Sequence, residues 1–181
     1  MSPVRCASHE ERAADRVGEA QTIVEDLIEQ AFAVNKALQR YITVQDAVLA
    51  RKFSLREILP LPFLFKPIDF GALWGETESV LADLTAAQQE IGMLRTSRVG
   101  VNREADELSA CLDEYIAALQ QTVQMLAELC RRLFRKAQGE PFSWREYNAL
   151  CKEYKATIPT YSKVGARLSA LVRKVAPGFL P

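Results

Sequence analysis

Apolar residues recur at alternating steps of three and four through most of this chain, the spacing that keeps side chains on one face of an α-helix. In the first stretch the seam runs Val17, Ala20, Val24, Leu27, Ala31, Val34, Leu38, Tyr41, Gln45 and Val48, with Gln45 its single polar member. Ile23, Ile28, Phe32, Ile42 and Leu49 flank the seam and widen it, so this helix, over about residues 9–53, is expected to meet two neighbours. Ser8 and Glu11 have capping-box spacing at its start.

A second seam, from Val80 through Leu84, Ile91, Leu94, Leu108, Leu112, Tyr115, Leu119, Leu126 and Leu129 to Leu133, never slips phase. It reads as one helix over about residues 77–136, on the order of 90 Å long. Inside it, Gly100 has the character of a helix stop, and Asn102, Glu104 and Asp106 that of a restart, so a kink or short break is expected at 98–102. The third seam comprises Trp144, Tyr147, Cys151, Tyr154, Ile158, Tyr161, Gly165, Leu168, Val172 and Val175, opened by a Ser143/Glu146 capping box. It continues past Pro159, which predicts a kinked helix over 144–175.

The short loop "KAQGEPF" makes the second and third blocks antiparallel, with residues whose numbers sum to about 281 at the same height. Cys130 and Cys151 meet that condition and are expected as neighbouring core thiols. The expected fold is all-α, a single domain over 1–181: an elongated antiparallel bundle of three long helices, kinked near Gly100 and Pro159. If those kinks are full turns, a compact four- or five-helix bundle results.

Between the first two blocks, residues 54–75 include "LPLPFLFKPIDFG", where each proline drives its predecessor out of helical geometry. This apolar connector is expected to run extended after a turn capped by Ser54 and Glu57. Phe63, Phe65, Ile68, Phe70 and Trp74 either cover the end of the bundle or, left exposed, form a contact surface for a protein partner or a bilayer interface.

With 181 residues, 49% of them hydrophobic, the composition is that of one globular domain. The N-terminal stretch has no apolar signal core and turns acidic at once, and no window approaches the roughly 18 apolar residues of a membrane span, so the cytoplasm is expected. The formal net charge of zero conceals a gradient: residues 131–181 hold eleven basic residues against three acidic ones. Arg131, Arg132, Arg135, Lys136, Arg173 and Lys174 form the candidate basic patch. Its competing uses are neutralisation by the acidic start of the first helix, contact with phosphate or anionic lipid, and an unpaired solvated face.

Chemistry is sparse. His9 is the lone histidine, which excludes a Ser-His-Asp or Cys-His site built on a buried imidazole and the two Glu-x-x-His motifs of a di-iron bundle. Cys6, Cys111, Cys130 and Cys151 have no zinc or redox spacing, and neither "GALWG" nor "RVGVN" is a phosphate loop. Tyr147, Tyr154 and Tyr161 recur every seven residues with Trp144 on one stripe, which reads as core with hydroxyls reaching its edge, or as a groove.

No catalytic residue, metal site, cofactor or small-molecule substrate is expected. The function expected is that of a non-enzymatic adaptor or assembly protein that binds a protein partner or itself, with Phe63, Phe65, Phe70 and Trp74 as contact candidates. The runner-up is a peripheral membrane protein using the aromatic connector and the basic last helix, and nucleic acid is disfavoured.

Overall fold

The computed structural model describes residues 9–49, 68–97 and 103–176, the side chains of 9–20 and 97 excepted. Among the described residues there are four helices, α1 (His9–Leu49), α2 (Phe70–Ser97), α3 (Arg103–Ala137) and α4 (Trp144–Val175), and no strand.

The expectation of three long helices is therefore corrected at the second block, which is two helices lying side by side. Arg95 pairs with Asp113 at 3.6 Å, Gln120 Nε2 donates to Thr85 Oγ1 at 3.3 Å, and the Trp74 and Phe134 rings lie 6.1 Å apart, so α2 and α3 run antiparallel. The described residues form four helices, in line with the four- or five-helix alternative. α2 ends at Ser97, and α3 opens at Arg103 with Glu104 and Asp106 in its first turn, where acids suit the positive end of the helix dipole.

Neighbouring helices alternate in direction throughout. Arg40 of α1 reaches Glu76 (2.6 Å), Ser79 (2.8 Å) and Asp83 of α2, while Ile23 and Leu27 share a small hollow with Leu94 and Arg95 at the other end. α3 and α4 are antiparallel in the expected register. A side chain built on Gly165 would meet the Tyr115 ring, and Arg167 donates to Glu114 at 2.6 Å, pairs whose numbers sum to 280 and 281.

The α3–α4 joint is built from two local motifs. Glu140 N–H returns to the Arg135 carbonyl and Gly139 N–H to that of Lys136, each at 3.0 Å, a Schellman ending that needs the positive φ (96°) Gly139 adopts. Four residues later α4 opens with the expected capping box: Ser143 Oγ accepts from Glu146 N–H (3.2 Å) and Ser143 N–H donates to Glu146 Oε2 (2.7 Å). α4 then runs unbroken through Pro159, which sits at an exposed position where a lost backbone donor costs least.

α2 starts earlier than the prolines suggested. Asp69 accepts from the Ala72 N–H at 2.9 Å and so caps a helix that begins at Phe70, which removes Phe70 and Trp74 from the extended connector. Both rings are half-buried, and Gly71 gives Phe134 the room to pack: a Cβ there would lie 3.0 Å from its ring. The turn expected at Ser54, the connector through residue 67 with Phe63 and Phe65, and the last residues expected for the first helix, 50–53, lie outside the described residues. So does the Ser8/Glu11 cap.

α3 is the most deeply buried element. Leu108, Leu112, Ile116, Leu119, Val123, Leu126, Leu129 and Cys130 are all wholly shielded from solvent. Its one buried polar seam residue, Thr122, donates to the Ala118 carbonyl (3.0 Å), as buried Thr77 and Ser109 do to carbonyls one turn back, so these hydroxyls enter the core without an unmet hydrogen bond.

The hairpin is directly testable. Cysteines introduced by Thr85→Cys and Gln120→Cys are expected to form a disulfide under mild oxidation, read by peptide mapping. In one straight helix the two positions, 35 residues apart, would stand about 50 Å from each other and stay reduced.

Candidate functional site

α1 and α4 touch at few points, and between them runs an open cleft of about 370 Å³. Its α1 wall is Ile28, Ala31, Phe32, Asn35 and Leu38; its α4 wall includes Tyr161, Ser162, Gly165, Leu168, Ser169 and Val172; Tyr115 of α3 is the floor. Phe32 stands at the rim with 46% of its surface exposed. Gly165 is needed below it, because any Cβ there would come within 2.9 Å of the Tyr115 ring. Sequence reasoning finds the cleft's apolar residues as seam and flank, but not Asn35, Ser162 and Ser169, nor that α1 and α4 leave a gap.

The cleft is closed at one end by a chain of hydroxyls. Tyr154 donates to Oε1 of Gln45 at 2.9 Å, so its oxygen accepts from the Tyr41 hydroxyl 2.5 Å away. Tyr161 meets Tyr41 edge to face, ring centres 6.1 Å apart. This accounts for Gln45, the one polar residue in the first seam, which accepts the proton that a buried Tyr154 must donate. The tyrosine stripe is thus core at Tyr154 and groove at Tyr161. Its other end departs from the seam: Trp144 is 60% exposed and stacks on Tyr147 (5.1 Å) beside Phe142.

Burial holds the ionisable groups here in their neutral forms. It raises Tyr41, helped by the hydrogen bond with Tyr154, and raises Tyr154, both well beyond the ordinary phenol range; Tyr115 is pushed up to about 12, by burial first and then by nearby Tyr161. Burial likewise lifts Cys130 to about 12, the opposite of the lowered value a nucleophilic thiol requires. Cys130 and Cys151 are both buried and free, as is Cys111, whose sulfur accepts from Arg167 Nε at 3.3 Å. Among the described residues, no three of the His, Cys, Asp and Glu side chains gather as metal ligands.

The candidate basic patch is divided. Arg131, Arg132, Arg135 and Lys136 end α3, whereas Arg173 and Lys174 end the antiparallel α4, at the opposite end of the bundle. Glu128 accepts from Arg131 and Arg132 (2.8 Å each); burial works against its charge, but these two arginines outweigh that and keep its carboxyl below the usual range. Arg135 lies 3.9 Å from Glu140, and Lys174 pairs with Glu104 at 3.2 Å. Acids on α3 thus take up part of the basic last helix; the side chains at the acidic start of α1, expected in that role, lie outside the described residues. Of the contact candidates, Phe70 and Trp74 pack at the far end of α2, away from the cleft.

No family model matches the chain, and neither the curated proteins nor the solved structures contain one significantly similar to it. No described helix is long and apolar enough to cross a membrane.

Two measurements probe the hydroxyl chain. Tyr154→Phe removes a donor and an acceptor together, stranding Gln45 and Tyr41, and is expected to cost about 1–3 kcal/mol in urea unfolding; Tyr41→Phe, which leaves the Tyr154–Gln45 bond intact, is expected to cost about 0.5–1.5 kcal/mol. The opposite order would show that Tyr154 does not donate to Gln45. Because Tyr41, Tyr115 and Tyr154 are raised in the folded state, their contribution is complete below the ordinary phenol value of 10.0 and is lost as pH rises beyond it, through about 12 for Tyr115 and at still higher pH for Tyr41 and Tyr154. Unfolding midpoints should hold steady on this account up to about pH 10 and fall beyond it, the fall being smaller in Tyr154→Phe.

Proposed function

We propose that this chain is a non-enzymatic interaction protein whose working surface is the cleft between α1 and α4. The observation that carries this reading is an apolar trough open along the side of an otherwise close-packed bundle, with a half-exposed phenylalanine at its lip. Water is a poor occupant for walls of Ile28, Ala31, Leu38, Leu168 and Val172. An amphipathic helix laying its apolar side chains into such a trough gains their burial, and Asn35, Ser162 and Ser169 along its edges offer hydrogen bonds that fix register.

The neutral core phenols and thiol favour this reading over a catalytic one, since acid-base or nucleophilic work at neutral pH calls for values drawn toward 7. A membrane role resting on the aromatic connector loses two of its four side chains to helix packing, because Phe70 and Trp74 lie in α2 with Trp74 against Phe134.

A photo-crosslinking amino acid placed at position 32, and separately at 166, tests the proposal in the cells that make the protein. Both sites are expected to give an adduct with the same protein, whereas exposed Ala117 on the back of α3 gives none. Absence of adducts at 32 and 166, or equal adducts at 117, would refute the cleft as a contact surface.

A further inference from the structure

The cleft's two rims carry charge patterns that match each other. On α1 the outer stripe is Glu25, Ile28, Phe32, Asn35, Gln39, Ile42 and Asp46, a run at steps of three and four with an acid at each end. On α4 it is Lys155, Pro159, Ser162, Ala166, Ser169 and Arg173, with a base at each end and small side chains between. Glu25, Asp46, Lys155 and Arg173 are exposed, and none makes an ion pair within 4 Å among the described residues.

Tyr41 with Tyr154, Gln45 with Tyr154 and Tyr41 with Tyr161 place residues of α1 and α4 whose numbers sum to about 200 at one height. Glu25 therefore stands level with Arg173, Asp46 with Lys155, and Phe32 with the interval between Ala166 and Ser169. Within one molecule Glu25 and Arg173 stand just past Ile28 and Val172 of the cleft lining, while Asp46 and Lys155 lie beyond its closed end, next to the Gln45–Tyr154 hydrogen bond.

We propose that the occupant of this face is a second copy of the chain, related by a two-fold axis parallel to the helices, so that α1 of each copy lies along α4 of the other. This deepens the reading of the cleft as an interaction surface and rests on it. Rotation about that axis preserves height, so it brings Glu25 of one copy onto Arg173 of the other and Asp46 onto Lys155. It also sets Phe32 into the saddle of small residues Ser162, Ala166 and Ser169. Every contact occurs twice, as a closed two-fold interface requires. A two-fold axis perpendicular to the helices instead lays α1 on α1 and α4 on α4, acid facing acid and base facing base, and the charges oppose it.

Sedimentation of the full chain at several concentrations is the test. Wild type is expected to reach twice the 20.3 kDa chain mass and to dissociate on dilution, and Phe32→Asp to remain monomeric with unchanged helix content. Glu25→Lys with Asp46→Lys, and separately Lys155→Glu with Arg173→Glu, should each weaken self-association by about tenfold or more. Mixed in equal amounts, these two variants should associate with each other at least as well as wild type, since each helix then meets its opposite charge.

A wild type that stays monomeric, a dimer indifferent to Phe32→Asp, or a mixture that fails to associate would each overturn the proposal. A monomeric wild type whose residue-32 adduct is with a different protein removes the second copy and keeps the interaction reading; a monomer with no adduct removes both.

Discussion

The contact that governs this architecture is the end-on meeting of two phenols, Tyr41 of α1 and Tyr154 of α4. Leucine and alanine interfaces let helix axes approach to roughly 8–10 Å. Two rings joined through their hydroxyls act as a longer strut, and Gln45 completes it by accepting from Tyr154. α4 is thus held closely by α3 but at arm's length by α1, and the cleft beyond Tyr161 follows. The arrangement is stable because each hydroxyl in the strut has a partner; an apolar pair of the same length would hold the gap equally well but would not fix which residue of α1 faces which residue of α4.

Much of this could be read from the chain, and the misreading has a physical cause. The seam of the second block keeps its phase across Gly100 because α2 and α3 each bury a stripe of the same kind, and a heptad repeat records which side of a helix is buried without recording whether the chain has reversed. Local chemistry holds the better information: Glu104 and Asp106, acids that mark a helix start, stand in the first turn of α3, while the expected stop at Gly100 lies outside the described residues. Asp69 was a similar signal, overlooked beside three prolines; its carboxylate caps α2 and turns "DFGALW" from connector into helix. The capping box at Ser143 and Glu146 marks the start of α4 to the residue.

The candidate site was legible in a different way. Its apolar residues stand in the seams and flanks, but their spacing across the gap depends on side-chain length at Tyr41 and Tyr154, which periodicity does not encode. The basic last third illustrates the same limit. Composition registers the excess charge, yet antiparallel topology divides Arg131, Arg132, Arg135 and Lys136 from Arg173 and Lys174 by most of a helix length. Glu104, Glu114 and Glu128 then draw off much of the charge locally.

Among the exposed charges that this pairing leaves without an ion pair are Glu25, Asp46, Lys155 and Arg173 on the α1–α4 face. An exposed ion pair contributes only about 0–1 kcal/mol, so these residues cannot supply the strength of an association; the apolar trough and Phe32, worth about 1.5–3 kcal/mol for a large side chain fully buried, must do that. Charge selects among geometries instead. A trough lined by aliphatic side chains accepts almost any apolar ridge in several registers, whereas acids at both ends of one rim and bases at both ends of the other admit one orientation and penalise its reverse. The same division of labour holds inside the bundle, where buried leucines on α3 supply the stability and Arg40, bridging Glu76, Ser79 and Asp83, fixes how α1 sits against α2. The cleft thus repeats on the outside of the molecule the rule by which its interior was assembled.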